Sequence, residues 1–286
     1  MKEQKQNLAM PAAIIIAGIF IAGAVLYSDA KETTDIPTSE TKPIVEETVP
    51  KNIIINQKDL IYSVGHLRGD KKAPLTLIEF SDPECPYCIR FHSTMDKLFE
   101  EYGKDGTLAW RYVHLFPFDS RPDVHQNARA QAEAAECAGS VGGGEMFWVF
   151  LSRVFEAKEP RDMTAIATDL GLDIVSFNTC IENKTFAESV SEQHNLSYNT
   201  LGLRGTPHSV VILEDGTGYR INGAYPIDTV AITLEAALAG VETGKIQKFL
   251  DMFQEQGTTE ESLNEYVQRE FIPAIIAAQG TVEPAE

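Results

Sequence analysis

Two cysteines three positions apart, Cys85 and Cys88, form a Cys-Pro-Tyr-Cys motif. At the start of a helix, this spacing places both sulfurs on one face, close enough for a disulfide. Unpaired backbone N–H groups and the positive end of the helix dipole there favour the thiolate form of Cys85. Pro86 suits the first helical position, where its missing N–H group would have no partner anyway. The motif predicts thiol-disulfide exchange with Cys85 as an exposed nucleophile, a reaction that needs no cofactor.

A structural disulfide or half of a zinc site is the alternative for such a motif. A zinc ribbon would need a second Cys-x-x-Cys motif. The other two cysteines, Cys137 and Cys180, are isolated instead. The sequence therefore predicts no metal site.

Cys137 and Cys180 are expected to pair in a structural disulfide, because an even number of cysteines in an exported chain is typical of disulfide formation. The closed loop would hold about 44 residues and would stabilise the fold by about 4 kcal/mol. Two separately buried thiols, or a redox relay with the first pair, remain alternatives.

The N-terminal segment indicates export. Residues 8–27 carry no charge, and as a helix they would be about 30 Å long, the thickness of a bilayer core. Lys2 and Lys5 precede this segment, whereas acids dominate after it, which places the following chain outside the cytoplasm. Residues 1–30 are therefore predicted to be a membrane anchor of a single-pass protein, with removal as a signal peptide as the alternative. Residues 31–51 have no apolar period, which is typical of a flexible linker.

The formal net charge of −18 argues against a nucleic-acid-binding protein. Nothing in such a chain could neutralise a row of phosphates and release their counterions. No nucleic acid is therefore expected among its partners.

The remaining pattern predicts an α/β domain over residues 52–243. Strands are expected at 75–80 and 108–116 around a helix that ends near Tyr102, and a hairpin at 209–222 is followed by a helix over 228–238. Residues 122–200 contain amphipathic, alanine-rich segments and form a predicted helical insertion. This order predicts a thioredoxin-like fold with a helical insertion. Residues 244–286 add a C-terminal extension with two more predicted helices.

Three parts of the chain together resemble the DsbA-like family of thioredoxin-fold disulfide oxidoreductases. They are the sequence Phe-Ser-Asp-Pro-Glu-Cys-Pro-Tyr-Cys at 80–88, the helical insertion, and Gly205-Thr206-Pro207 before the hairpin. A proline at that point is best explained as a cis peptide, since proline inside a strand is costly. The resemblance covers roughly residues 55–240 and is strongest to the membrane-anchored, BdbD-type branch.

The resemblance implies roles for the site residues. Cys85 would be the nucleophile and Cys88 the buried resolving cysteine, with cis-Pro207 packed against them. Pro86, Tyr87, Thr206 and Pro207 would support the site and bind an extended substrate. Glu79, six residues before Cys85, would lie below Cys88 and exchange a proton with it.

The resemblance also implies partners and a function. Unfolded exported proteins that contain cysteine would be the substrates, and a DsbB-like membrane protein would reoxidise the enzyme. Tyr87 stands where strongly oxidising members have histidine, and Thr206 is shared with isomerase-type relatives. An oxidase is the leading hypothesis, and a reductase or isomerase and a tethered chaperone-like module are the alternatives.

Two histidines near these motifs are expected to have structural roles only. His208, directly after Pro207, is expected to be a solvent-facing strand residue. His125, at the start of the insertion, is expected to cap or pack.

Overall fold

The computed structural model describes residues 62–119, 121 and 123–280 of the protein. These residues form five strands and ten helices. The strands are β1 (His66–Arg68), β2 (Leu75–Ser81), β3 (Leu108–His114), β4 (His208–Leu213) and β5 (Gly218–Asn222). The helices are α1 (Pro86–Leu98), α2 (Ala128–Gly142), α3 (Gly144–Glu156), α4 (Met163–Asp169), α5 (Ile174–Glu182), α6 (Ala187–Asn195), α7 (Ile227–Leu238), α8 (Thr243–Met252), α9 (Glu260–Glu270) and α10 (Ile272–Gly280). Single π-helical turns extend α1 over Phe99–Gly103 and α6 over Leu196–Thr200.

The strands form one sheet in the order β1-β3-β2-β4-β5. β2 and β3 are parallel and joined through α1, whereas every other neighbouring pair is antiparallel. The predicted strand-helix-strand unit and the hairpin are therefore confirmed. β1 was not predicted, because three residues at a sheet edge are too few to show a periodic pattern.

The central strand β2 is buried at all seven positions. The two faces of the strand nevertheless have different neighbours. Ile78 and Phe80 point into an apolar cluster with residues of β3, β4 and the turn after α6. Glu79 and Ser81, on the opposite face, are also fully buried. The sheet therefore has one apolar face and one face that carries buried polar groups next to α1.

Five helices lie between β3 and β4, where the sequence predicts a helical insertion. The expected helices near α2, α3 and α4 are present, and α5 and α6 complete the block. A disulfide joins Cys137 in α2 to Cys180 in α5, with a Cα–Cα distance of 5.8 Å. This bond connects the first and the fourth helix of the insertion.

A buried carboxylate attaches the insertion to the sheet. Glu136 in α2 makes hydrogen bonds with His66 of β1 at 2.7 Å and with His114 of β3 at 3.2 Å. Gln193 of α6 donates to the same carboxylate and accepts the backbone N–H of His114. Burial alone would raise the pKa of Glu136, but the two histidines hold it well below its ordinary value. An ionised Glu136 thus links four elements.

The C-terminal extension packs on the outer end of the sheet and forms three helices rather than the two expected. Gln247 of α8 accepts the backbone N–H of Arg220, and Gln254 donates to the carbonyl of Asn222. Both partners belong to β5, an edge strand whose outer side would otherwise have free backbone groups. The extension therefore covers this edge of the sheet.

The predicted anchor and linker, residues 1–51, lie outside the described residues. Among the helices of 62–280, none combines the length and the apolar character that crossing a bilayer requires.

Candidate active site

Helix α1 starts directly after Cys85 at the carboxyl end of β2. Cys85 occupies the N-cap position with extended backbone, and Pro86 takes the first helical position as predicted. The N–H of Cys85 donates to the carbonyl of Asp82, which closes the turn between strand and helix. Both thiols are buried: Cys85 is 3% exposed and Cys88 is 0% exposed. The expectation of an exposed nucleophile was wrong, because the loop before β4 covers Cys85.

The two cysteines have opposite electrostatic environments, although both are free thiols here. A hydrogen bond from Cys88, helped by Thr206, lowers the pKa of Cys85 to about 6 despite partial burial. Burial and the neighbouring Cys85 sulfur raise the pKa of Cys88 well above its ordinary value. At neutral pH Cys85 is therefore a thiolate and Cys88 a thiol, the arrangement of an attacking and a resolving cysteine.

The Thr206–Pro207 peptide bond is cis, as the resemblance implies. The Cys85 sulfur lies 3.4 Å from the Thr206 carbonyl oxygen, although the two residues are 121 positions apart. Next to this contact, Tyr87 is 57% exposed and the Arg90 guanidinium lies 5.3 Å from the centre of its ring. Pro86 and Tyr87 are thus the exposed residues of the motif. The carbonyl of Thr206 contacts the nucleophile.

Glu79 is fully buried in the central strand and is not a surface acid. Its Oε2 accepts the indole N–H of Trp110 at 3.1 Å, whereas its Oε1 has no hydrogen-bond partner in the described part of the chain. Burial raises the pKa of Glu79 to about 8, although the nearby Ser81 hydroxyl and the Trp110 indole oppose the shift. A neutral carboxylic acid therefore lies within the sheet at pH 7.

Asp82 is a site residue that the sequence analysis missed. Its backbone N–H donates to the Cys88 sulfur at 3.5 Å. One carboxylate oxygen accepts the N–H of Glu84, and the other lies 2.9 Å from His125 Nδ1. Asp82 thus holds the loop before Cys85 in place. Its position in the family motif was the available signal, but the pattern does not indicate which atoms it contacts.

His125 does more than cap or pack, because it forms an ion pair with the buried Asp82 beside the cysteines. That hydrogen bond raises the pKa of His125, and the negative charge on Cys85 contributes to the shift. His125 has a left-handed backbone with φ of 53°, an uncommon conformation for this residue type. The insertion therefore supplies an imidazole to the site, in surroundings that favour its cationic form.

The expectation that His208 faces solvent was wrong. Its Nε2 is buried without a hydrogen-bond partner among the described residues, and its ring packs 6.2 Å from that of Phe80. Burial, with a contribution from Arg220, lowers the pKa of His208 to about 4. His208 is therefore a half-buried, neutral residue that follows the cis-proline.

Within the described ranges, no cluster of three or more histidine, cysteine or acidic side chains could hold a metal ion. Cysteine chemistry is the chemistry that this geometry supports. The low-pKa thiol at a helix N-terminus, the buried second thiol and the cis peptide opposite them define the class. The protein has a thioredoxin fold whose two neighbouring cysteines are arranged as an attacking and a resolving thiol.

A family model described as Thioredoxin matches residues 63–224, more than half of the chain, and the chain belongs to that family. Solved structures with the same fold include the thiol-disulfide exchange protein alpha-DsbA2 of Wolbachia pipientis, at 18% identity and a TM-score of 0.54 over 68% of this chain and 98% of that one. Another is alpha-DsbA1 of the same organism, at 24% identity and a TM-score of 0.50 over 67% and 94%.

The curated proteins that match part of this chain are named as Na(+)/H(+) antiporters. A Na(+)/H(+) antiporter NhaA of Herminiimonas arsenicoxydans is 32% identical over 186 residues, which are 64% of this chain and 27% of that protein. An NhaA of Salinispora arenicola is 31% identical over 61% of this chain and 25% of its own length. The chain thus spans about a quarter of the length of these relatives.

Proposed function

We propose that the protein is a thiol oxidase that works outside the cytoplasm and donates its Cys85–Cys88 disulfide to exported proteins. The observation that carries the proposal is the pKa of Cys85, lowered to about 6 by Cys88 and Thr206. A stabilised thiolate favours the reduced form of such a pair and makes its disulfide a better oxidant.

In the proposed reaction, a substrate thiolate attacks the Cys85 sulfur of the oxidised protein. A mixed disulfide forms at Cys85, and Cys88 leaves with the bonding electrons and takes up a proton. A second substrate thiolate then attacks the substrate sulfur, and Cys85 leaves as a stable thiolate. The substrate gains a disulfide, and the protein carries two more electrons and one proton on Cys88.

Substrate and membrane partners follow from the same proposal. An extended chain can lie across the exposed Tyr87 and the Thr206–Pro207 segment, beside the Cys85 sulfur. The uncharged segment at 8–27 would hold the domain at the membrane, where a DsbB-like protein would return the pair to the disulfide form.

The reduction potential of the Cys85–Cys88 pair distinguishes an oxidase from a reductase. With Cys85 stabilised as thiolate, we expect the potential to be clearly above that of thioredoxin, which is roughly −270 mV. Equilibration of the purified chain in glutathione buffers, followed by quantification of the disulfide form, measures it. A potential at or below the thioredoxin value would assign the protein to the reductase class instead.

We further propose that Glu79 exchanges a proton with the Cys88 thiol. Glu79→Gln is expected to slow resolution of a mixed disulfide at Cys85 on the order of 100-fold, because the high-pKa Cys88 thiol loses its base. In the unmodified protein the resolution rate should rise with pH through the pKa of Glu79, about 8, as the carboxyl ionises. Rapid mixing with oxidised glutathione, acid quenching and mass spectrometry follow the mixed disulfide over time.

Glu235→Gln provides a matched control for this substitution. Glu235 in α7 is another carboxyl whose pKa is raised by burial, and it accepts a hydrogen bond from Tyr102. Its replacement should leave the resolution step unchanged. A Glu79→Gln variant that resolves at the original rate at every pH would remove the proposed role.

A further inference from the structure

The Ser81 side chain is a buried hydroxyl that the mechanism above does not use. Ser81 ends β2 and is 0% exposed, and it lies on the same face as Glu79 because it follows two residues later. Its backbone is fixed, since its carbonyl accepts the N–H of Leu115 and its Cα pairs with that of His114. Its Oγ makes no hydrogen bond of full geometry within the described residues, so the hydroxyl is free to rotate.

Glu79 and Cys88 both lie near enough to this hydroxyl for it to affect their pKa values. The Asp82 N–H, in the peptide that follows Ser81, donates to the Cys88 sulfur at 3.5 Å, so that sulfur lies next to the end of β2. Burial raises the pKa of Glu79 and of Cys88, and the Ser81 hydroxyl lowers both. One O–H group has one proton to donate and can accept at the same time. Ser81 can therefore accept from one of these groups while it donates to the other.

We propose that Ser81 is the proton relay between Glu79 and Cys88. This inference rests on the proposed function, and it specifies how the buried acid reaches the resolving cysteine. The free Oε1 atom of Glu79 is the acceptor available for the Ser81 proton, since Oε2 is held by Trp110.

In the oxidase direction, Cys88 leaves the Cys85 sulfur as a thiolate when the substrate thiolate attacks. The Ser81 hydroxyl gives its proton to the Cys88 sulfur and takes the carboxyl proton of Glu79, which becomes a carboxylate. The reverse transfer serves resolution: the Cys88 proton moves to Ser81, the Ser81 proton moves to Glu79, and Cys88 attacks Cys85. The partner sulfur then departs with the bonding electrons. The relay itself gains and loses no atoms.

The titratable groups around Ser81 determine how the rate of the proposed relay depends on pH. Cys88 and Asp96 face it from α1, and Tyr112 faces it from β3, with a pKa raised well above the ordinary value by burial. Asp82 in the loop contacts Cys88, and β4 contributes the uncharged Ser209 hydroxyl, whose residue is paired with Glu79. Glu79 is the group among them whose pKa, about 8, lies within the range of a kinetic measurement.

The test is the mixed-disulfide assay with oxidised glutathione on the full 286-residue chain. Ser81→Ala is expected to slow resolution at least about 10-fold and to remove its rise near pH 8, because the carboxyl no longer reaches Cys88. Formation of the mixed disulfide, which depends on Cys85, should stay unchanged. Ser81→Thr restores a hydroxyl and should recover the rate and the pH profile.

Ser209→Ala is the matched control, because it removes a buried hydroxyl from the strand on the other side of Glu79. It should leave the pH profile unchanged. Equal resolution rates in Ser81→Ala and the unmodified chain would overturn the relay, whereas an unmodified chain that forms no mixed disulfide would overturn the proposed function.

Solvent isotope effects provide a second test that needs no variant. Two protons that move together make the resolution rate depend on the deuterium fraction along a curve, and the relay predicts this curvature. A straight line would indicate a single proton in transfer and would contradict the relay.

Discussion

Cys85→Ser is expected to reduce thiol-disulfide exchange to the rate of the uncatalysed reaction. A serine hydroxyl does not ionise near neutral pH, whereas the pKa of Cys85 is lowered to about 6 and keeps its sulfur mostly as thiolate. The helix N-terminus and the Thr206 carbonyl would remain in place around the serine oxygen. Oxidation of a peptide with two cysteines, measured by mass spectrometry, gives the rate.

Cys88→Ala should have the opposite signature, because the nucleophile stays and the resolving thiol is lost. Mixed disulfides at Cys85 are then expected to accumulate and to be visible as adducts that a reductant removes. The Cys85→Ser/Cys88→Ala double variant is the control that should trap nothing. Adducts that form equally on the double variant would place the reactive sulfur elsewhere and refute the assignment of Cys85.

The Cys137→Ala/Cys180→Ala double variant is expected to lose about 4 kcal/mol of unfolding free energy. The disulfide joins residues 43 positions apart and restricts the unfolded chain, and closure of a loop of that length accounts for a loss of this size. Denaturant unfolding under oxidising conditions measures the difference. Exchange activity should survive in the folded fraction, because the bond lies within the insertion rather than at the cysteines of α1.

The Cys85→Ala/Cys88→Ala variant provides the control for stability. It also removes two sulfurs, but a disulfide between these positions would close only a short loop. A similar loss in both double variants would mean that cysteine packing, rather than the disulfide, stabilises the fold. Mass spectrometry of a digest made without reductant checks the bond directly, and a free Cys137 peptide would contradict it.

Much of the fold could be predicted because its signals are local. The apolar run of β2, the amphipathic helix behind the motif and the glycine-bearing hairpin each lie within one short window of sequence. The motif at 85–88 also fixed the position of the nucleophile relative to its helix, since Pro86 marks the first helical residue. Local sequence patterns were therefore enough to predict the order of the elements and the position of the reactive cysteine pair.

The tertiary surroundings of the site could not be predicted in the same way. Burial of Cys85 depends on the segment at Thr206, which lies 121 residues away in the chain. The role of His125 depends on Asp82, and the burial of His208 depends on Phe80 from a neighbouring strand. Such contacts arise from sheet order and helix packing, which a single sequence does not specify. His125, expected to cap or pack, therefore proved to pair with Asp82, and His208, expected to face solvent, proved to be half-buried.

The covered edge of β5 would affect how an oxidase of the proposed kind handles its substrates. An exported chain that awaits its disulfides is unfolded and rich in unpaired backbone groups, and an open strand edge would add it to the sheet. Gln247 and Gln254 occupy backbone groups on that edge, so the β5 side offers no such attachment. An oxidase of the proposed kind would then hold its client beside Thr206 and through a sulfur-sulfur bond to Cys85, which the reaction itself breaks.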